Sequence, residues 1–233
     1  MRRIWVRKVC IRSLDDLLSC DRYWIDLGID VQTRADYYGL LSPDECDRAA
    51  RLLNLQHQND FIAARGGLRS TLAEYTNCSP QALRFEYGNY GKPRLADYPN
   101  LHFNLAHSNG RALIVVSERA VVGVDLEKVR SVPKLLALAK RFFKPSEYEA
   151  IAALPESLQP KQFFAYWTCK EAYLKAVGIG LSQISNLELH LDESSVTVVK
   201  SPYDRIFSLT RFDLTCLDST AIGFVGAVAI ELA

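Results

Sequence analysis

Three carboxylates and a lysine fall in two short stretches of this chain, and together they suit phosphate chemistry. Gly123-Val124-Asp125-Leu126-Glu127 follows the apolar pair Val121 and Val122 and reads as a strand. Strand side chains alternate faces, so Asp125 and Glu127 project to one side. Trp167-Thr168-Cys169-Lys170-Glu171-Ala172-Tyr173-Leu174-Lys175 reads as a helix in which Glu171 and Lys175 are neighbours at i, i+4. Carboxylates with no thiol or imidazole among them are the donors a hard cation such as magnesium takes when it holds a phosphorylated ligand. Taken singly, each feature has a plainer reading. Two strand acids can form a solvated edge, and a Glu–Lys pair on a helix surface contributes only about 0.3–0.5 kcal/mol. Against this, two acids on one face repel unless a cation lies between them. Glycine at 123 also removes a side chain, as a close approach to the backbone requires.

A third constellation joins Tyr87-Gly88-Asn89-Tyr90-Gly91-Lys92-Pro93 to His102-Phe103-Asn104-Leu105-Ala106-His107-Ser108. The Gly91-Lys92-Pro93 turn leaves backbone groups and an ammonium available to a phosphate or a base edge. His107 ends an apolar strand. His102, an odd number of residues earlier, points to the other face. The sequence has no G-x-S-x-G elbow, no G-x-x-x-x-G-K-[ST] loop and no G-x-G-x-x-G turn, so nucleophilic serine catalysis and the standard nucleotide loops lack support.

The elements that must position these groups can be read in outline. Ser42-Pro43 is a helix start, with a helix over Pro43–Leu53 and a longer one over Phe61–Tyr75. Strands follow at Leu83–Tyr87, Leu101–Leu105, Ala112–Ser117 and Val121–Leu126. The outline then repeats: helices over Pro133–Phe142, Pro145–Leu154 and Lys161–Val177, the last closed by Gly178, then strands at Leu187–Leu191, Val196–Lys200, Ile206–Phe212 and Ala221–Ile230. A first strand is expected around Ile4–Val9. This predicts an α+β fold of two halves, 1–119 and 120–233, with the seam near Arg119–Ala120 and the acids beside it. Identity between the halves is too weak to identify a duplication.

Composition narrows the class. The chain has 233 residues and a net charge of +1, which gives no bulk attraction to nucleic acid or anionic membrane. Its longest apolar stretch, Ala221–Ile230, is too short to span a bilayer. The basic start (Arg2, Arg3, Arg7, Lys8, Arg12) lacks the apolar region of a secretory signal. The six cysteines include no CxxC pair, so zinc and a disulfide framework are not expected, and reduced thiols in a cytoplasmic protein are.

In this order and spacing, GKP (91–93), FNLAHS (103–108), GVDLE (123–127), RFFKPSEYEAI (141–151) and WTCKEAYLKAVGIGL (167–181) resemble the 4′-phosphopantetheinyl transferases of the surfactin-synthetase type. The resemblance spans about half the chain, and the pair GVDLE and WTCKEAYLKAVGIGL is its specific part. It implies two similar α+β halves packed as an intramolecular pseudo-dimer, a monomer with coenzyme A between the halves. It also implies Mg2+-dependent transfer of 4′-phosphopantetheine to a serine of an apo acyl or peptidyl carrier protein, with release of adenosine 3′,5′-bisphosphate. By position, Asp125, Glu127 and Glu171 match metal ligands, and Lys175 matches a lysine on the pyrophosphate. Lys92 and His107 match contacts around the adenosine 3′-phosphate, with Gly91 and Pro93 beside Lys92. Lys170 and Trp167 complete the helix motif. Two departures stand out: Ala106 replaces a serine, and Asp60 stands where an arginine is usual. Arg48, Arg51, Arg65 or Arg69 would have to supply that cation.

The carrier serine needs a base, and Glu127 or Glu171 would accept its proton. Glu171 is favoured because a helix residue beside Lys175 keeps one orientation. An acidic carrier would meet a basic surface, for which Lys134, Lys140, Arg141 and Lys144 are candidates; an ordinary solvated helix is the plain alternative. Two other functions stand as alternatives: a Mg2+-dependent phosphohydrolase of a nucleotide or of coenzyme A, which fits the same acids, and a non-catalytic module that binds carriers or coenzyme A, against which three carboxylates and Lys175 argue.

Overall fold

The computed structural model describes residues 6–8, 20–192, 195–213 and 223–232. Cys10 and Cys216, Arg2, Arg3 and Arg12, both ends of the expected Ile4–Val9 strand and the start of the expected Ala221–Ile230 strand lie outside the described residues.

The first half contains β1 (Val6–Lys8), β2 (Asp21–Asp26), α1 (Val31–Tyr38), α2 (Pro43–Ala50), α3 (Leu55–Thr76), β3 (Phe85–Tyr87), β4 (Pro93–Leu95), β5 (His102–Ser108) and β6 (Arg111–Ser117). The second contains β7 (Val122–Lys128), α4 (Leu135–Phe142), α5 (Pro145–Ala152), α6 (Gln159–Val177), β8 (Glu188–Leu191), β9 (Val196–Lys200), β10 (Phe207–Asp213) and β11 (Phe224–Glu231). The antiparallel sheets run β1-β2-β6-β5 and β10-β11-β7, with small hairpins β3-β4 and β8-β9.

The two halves share one plan. A strand (β2 or β7) leads into three helices, then a hairpin, then two strands (β5-β6 or β10-β11), and the last strand pairs back onto the first. Side chains repeat with it. Glu45 and Glu147 each sit one turn into the second helix behind a first-turn proline. Each is buried and accepts the N–H of the residue before that proline: Ser42 to Glu45 at 3.1 Å, Lys144 to Glu147 at 2.7 Å. Each also pairs with a fully buried cation on the third helix, Arg69 at 2.5 Å and Lys170 at 2.6 Å. Those cations donate onward to carbonyls beyond their own helix, Arg69 to Pro80 and Leu83, Lys170 to Ile184 and Leu187. The likeness of the two halves is thus carried by buried pairs that an identity count passes over.

One core gathers β2, α3, β5 and β6 side chains such as Ile25, Leu68, Phe103 and Ile114, and another gathers those of α4–α6 and β8–β11. A third, with Trp24, Leu113 and Val115 facing Val122, Val124, Leu126 and Val228, joins the lobes. The expected helices and strands occur with shifted ends. The α3 helix starts earlier than expected because Asn54 caps it, its side chain accepting from His57 N at 3.0 Å. Also unforeseen were β2 and α1, the latter capped by Asp30.

Candidate active site

Strand alternation decides which way the β7 acids face. Val122, Val124 and Leu126 enter the junction core, so Gly123, Asp125 and Glu127 face α6. The close approach requires Gly123: a Cβ there would lie 2.1 Å from the Ala172 carbonyl and 2.4 Å from Ala176 N. The last turns of α6 thereby bring Glu171 and Lys175 over Asp125. Lys175 Nζ lies 2.6 Å from Asp125 Oδ1 and 3.2 Å from Glu171 Oε2. The helix then stops at Gly178, whose φ of +85° only glycine adopts without strain, its N–H donating to Leu174 O at 2.9 Å.

Asp125 is buried, and its Oδ2 has no hydrogen-bond partner among the described residues. Burial, with Glu171 and Glu127 as like charges, pushes its pKa up to about 7 against the pull of Lys175. Burial alone would lower the Lys175 pKa, but Asp125 and Glu171 outweigh it and hold the ammonium above its ordinary value. The centre thus carries more negative charge than its one lysine neutralises. Among the described residues, no three acidic, thiol or imidazole side chains stand close enough together to grip a metal as they are placed. Lys175 fills the space between Asp125 and Glu171, while Glu127 turns toward Ser108 (3.0 Å) and Arg130 (3.2 Å).

Beside this cluster lies a cleft of about 320 Å³, lined by one face of α3 (His57, Asp60, Phe61, Arg65), with Arg48, Tyr87, Gly91, Pro93, Asn104 and His107. Strand β5 links cleft and acids: His107 faces the cleft, while the next residue, Ser108, reaches Glu127. The pattern of the 4′-phosphopantetheinyl transferase superfamily matches residues 121–223, which carry all three acids and Lys175. The 4′-phosphopantetheinyl transferase HetI of Nostoc sp. is 45% identical over 159 residues, 67% of this chain and 67% of that protein. Sfp of Bacillus subtilis, another 4′-phosphopantetheinyl transferase, is 30% identical over 173 residues, 74% of this chain and 73% of that protein. This chain belongs to the 4′-phosphopantetheinyl transferases. The activity expected from the sequence, phosphopantetheinyl transfer from coenzyme A to carrier proteins, is that of this family. A solved holo-(acyl-carrier-protein) synthase from Bacillus anthracis in complex with CoA (3′,5′-ADP) covers 49% of this chain and 98% of its own, at 22% identity and a TM-score of 0.40, too distant a likeness to bear on the site.

The transferase separates two residues that the sequence grouped with the ligand contacts. Lys170 is one of them. Five positions turn a helix by about 140°, so it cannot share a face with Lys175. It is fully buried, paired with Glu147, and does not line the cleft. Lys92 is the other. Gly91 and Pro93 line the cleft, but the Lys92 ammonium turns away and donates to Val122 O and Ala176 O, both at 3.0 Å, pinning the α6 end and the β7 start to the first lobe. Burial, and Arg205 next, lower its pKa to about 8. Ala106 is buried in the junction core. Trp167 packs on Phe142 and Phe163, as a core residue does.

Of the four arginines open as replacements for the usual cation, Arg69 is buried against Glu45, and Arg65 is held by Glu45 and Tyr87. Arg51 does not line the cleft. Arg48 does, stacking over Phe61 with its guanidinium carbon 5.1 Å from the ring centre. His57, Tyr87 and Asn104 were missed as lining residues. The spacing 57, 61, 65 marks one helical face, but only once the helix is started at Asn54.

Proposed function

We propose that coenzyme A lies between the lobes, its nucleoside end in the first-lobe cleft and its pyrophosphate toward Asp125, Glu171 and Lys175, and that Asp125, Glu127 and Glu171 hold Mg2+ there. One observation carries this reading: strand β5 runs from the cleft, at His107, to a cluster of oxygen donors, at Ser108, and the buried Asp125 Oδ2 of that cluster has no hydrogen-bond partner among the described residues. Oxygen donors and surplus negative charge fit a hard divalent ion. When bound, the metal supplies charge neutralisation at the pyrophosphate.

The chain's own groups do the rest. Arg48 and His107 take the 3′-phosphate end, and the backbone at Gly91 and Pro93 borders the nucleoside. Lys175 moves its ammonium from Asp125 to the pyrophosphate and stabilises the leaving adenosine bisphosphate. Glu171, on the rigid helix beside Lys175, accepts the carrier serine proton, with Glu127 as the alternative base. The apo acyl or peptidyl carrier docks on Lys134, Lys140 and Arg141, which are exposed around α4, with Lys144 half-buried beside them. The lobe boundary is set at 119/120, between the two cores. No helix of the described residues is long and apolar enough to cross a membrane. A monomer in the cytoplasm completes the proposal.

Incubation with Mg2+, coenzyme A and a panel of apo-carriers, read by intact mass, tests the assignment. Glu171→Gln and Asp125→Ala are expected to abolish the phosphopantetheine-sized increase while unfolding stays cooperative; normal transfer by either variant defeats it. Adenosine bisphosphate released without a carrier would instead favour the phosphohydrolase. Coenzyme A binding indifferent to Mg2+ would favour the binding module.

A further inference from the structure

Strand β5 lies alongside β7 without forming a backbone ladder with it. An edge strand leaves alternate N–H groups unpaired, and here side chains of β5 answer two of them. Asn104 Oδ1 accepts from Val124 N at 2.9 Å, and Ser108 Oγ accepts from Lys128 N at 3.2 Å. Both pairs are twenty residues apart, so the strands run in fixed register. Ser108 then does something Asn104 does not: its hydroxyl donates to Glu127 Oε2 at 3.0 Å. The Lys128 amide fills a lone pair of the Ser108 Oγ, which directs the hydroxyl proton at the carboxylate. Arg130 donates to the same Oε2 at 3.2 Å. Oε1 is left without a donor among the described residues.

We infer that Ser108 is a positioning residue for Glu127: the first lobe reaches across the junction and fixes, through one hydroxyl, the direction in which a second-lobe carboxylate offers its free oxygen to a divalent cation. The inference rests on the metal reading given above. Groups that orient a ligating carboxylate typically carry about a 10–100-fold effect on metal affinity. Because His107 faces the cleft and Ser108 faces Glu127, two adjacent residues tie the nucleotide end of the site to its metal end.

The test titrates Mn2+ into the full chain with coenzyme A present, following free Mn2+ by electron paramagnetic resonance, with Mg2+ as competitor. Ser108→Ala is expected to weaken Mn2+ about 10–100-fold with little change in melting temperature. Ser108→Thr and Ser108→Val have matching shapes and differ in the hydroxyl. Threonine is expected to bind Mn2+ within about threefold of the parent, and valine to bind as alanine does, a contrast that a purely structural role would not produce. Equal affinity in the parent, alanine and valine chains overturns the inference while leaving the metal reading intact. Equal loss in threonine and valine also overturns it, since the hydroxyl is then not responsible. A parent chain that binds neither Mn2+ nor Mg2+ removes the metal reading and the inference with it.

Discussion

Lys175 Nζ stands 2.6 Å from Asp125 Oδ1, an ammonium held where a divalent ion would compete for the same carboxylate. Removing one partner of a buried pair typically costs about 3–5 kcal/mol, and Lys175, partly exposed, belongs at the lower end. Lys175→Met is therefore expected to lower the melting temperature without metal and to gain more from Mg2+ than the parent does, because the ion no longer displaces an ammonium. Paired melts with and without millimolar Mg2+ check this. An equal Mg2+ response in the two chains would refute the competition.

Arg48 is the cleft cation expected to meet the coenzyme A 3′-phosphate. A charge-assisted hydrogen bond contributes about 1.5–3 kcal/mol, so Arg48→Ala is expected to raise the KM for coenzyme A about 10–100-fold. The KM for dephospho-coenzyme A, which lacks that phosphate, should stay near the parent value. Parallel loss for both substrates would count against the contact.

Lys170 is expected to behave as a stability residue. Lys170→Met leaves Glu147 buried without its cation and should cost about 3–5 kcal/mol in urea unfolding. The double variant Lys170→Met/Glu147→Leu removes the unpaired charge but also the acceptor of the Lys144 and Leu189 amides, so it should recover only part of that loss. In the folded fraction, the KM for coenzyme A should not move; a raised KM would return Lys170 to the ligand contacts.

Lys92 gives the molecule a stability slope at alkaline pH. Its folded pKa of about 8 lies below its ordinary 10.5, so between these values the unfolded chain carries a proton that the native one has lost. Stability from this group therefore rises with pH through that window, by at most about 1.4 kcal/mol per unit. Lys92→Met removes the slope. Urea unfolding at pH 7.5, 8.5 and 9.5 should show the difference between parent and variant moving in the parent's favour as pH rises; a constant difference would contradict it.

Gly123→Ala tests the packing that assembles the centre. The added Cβ would meet the α6 backbone, which cannot yield as a side chain can. Overpacking usually costs about 1–3 kcal/mol. Because the strain falls between the strand and helix that carry the acids, transfer should fall further than stability does, by comparison of kcat with the urea midpoint.

Period and spacing alone established much of this. Alternation in Gly123–Glu127 put both acids with the glycine, the i, i+4 spacing put Glu171 beside Lys175, and Ser42-Pro43 and Gly178 marked helix ends that the fold keeps. These are local properties, fixed by backbone geometry whatever the rest of the chain does. Only the tertiary structure decided which oxygens each lysine meets. Lys92, Lys170 and Lys175 look alike in sequence. Yet one is drawn to carbonyls across the junction, one to a carboxylate buried in its own lobe, and one to the acids at the centre. A buried ammonium goes to whichever oxygen compensates its lost hydration, and that oxygen comes from residues far away along the chain. The equivalence of Glu45–Arg69 and Glu147–Lys170, and the reach of Ser108 to Glu127, became visible for the same reason.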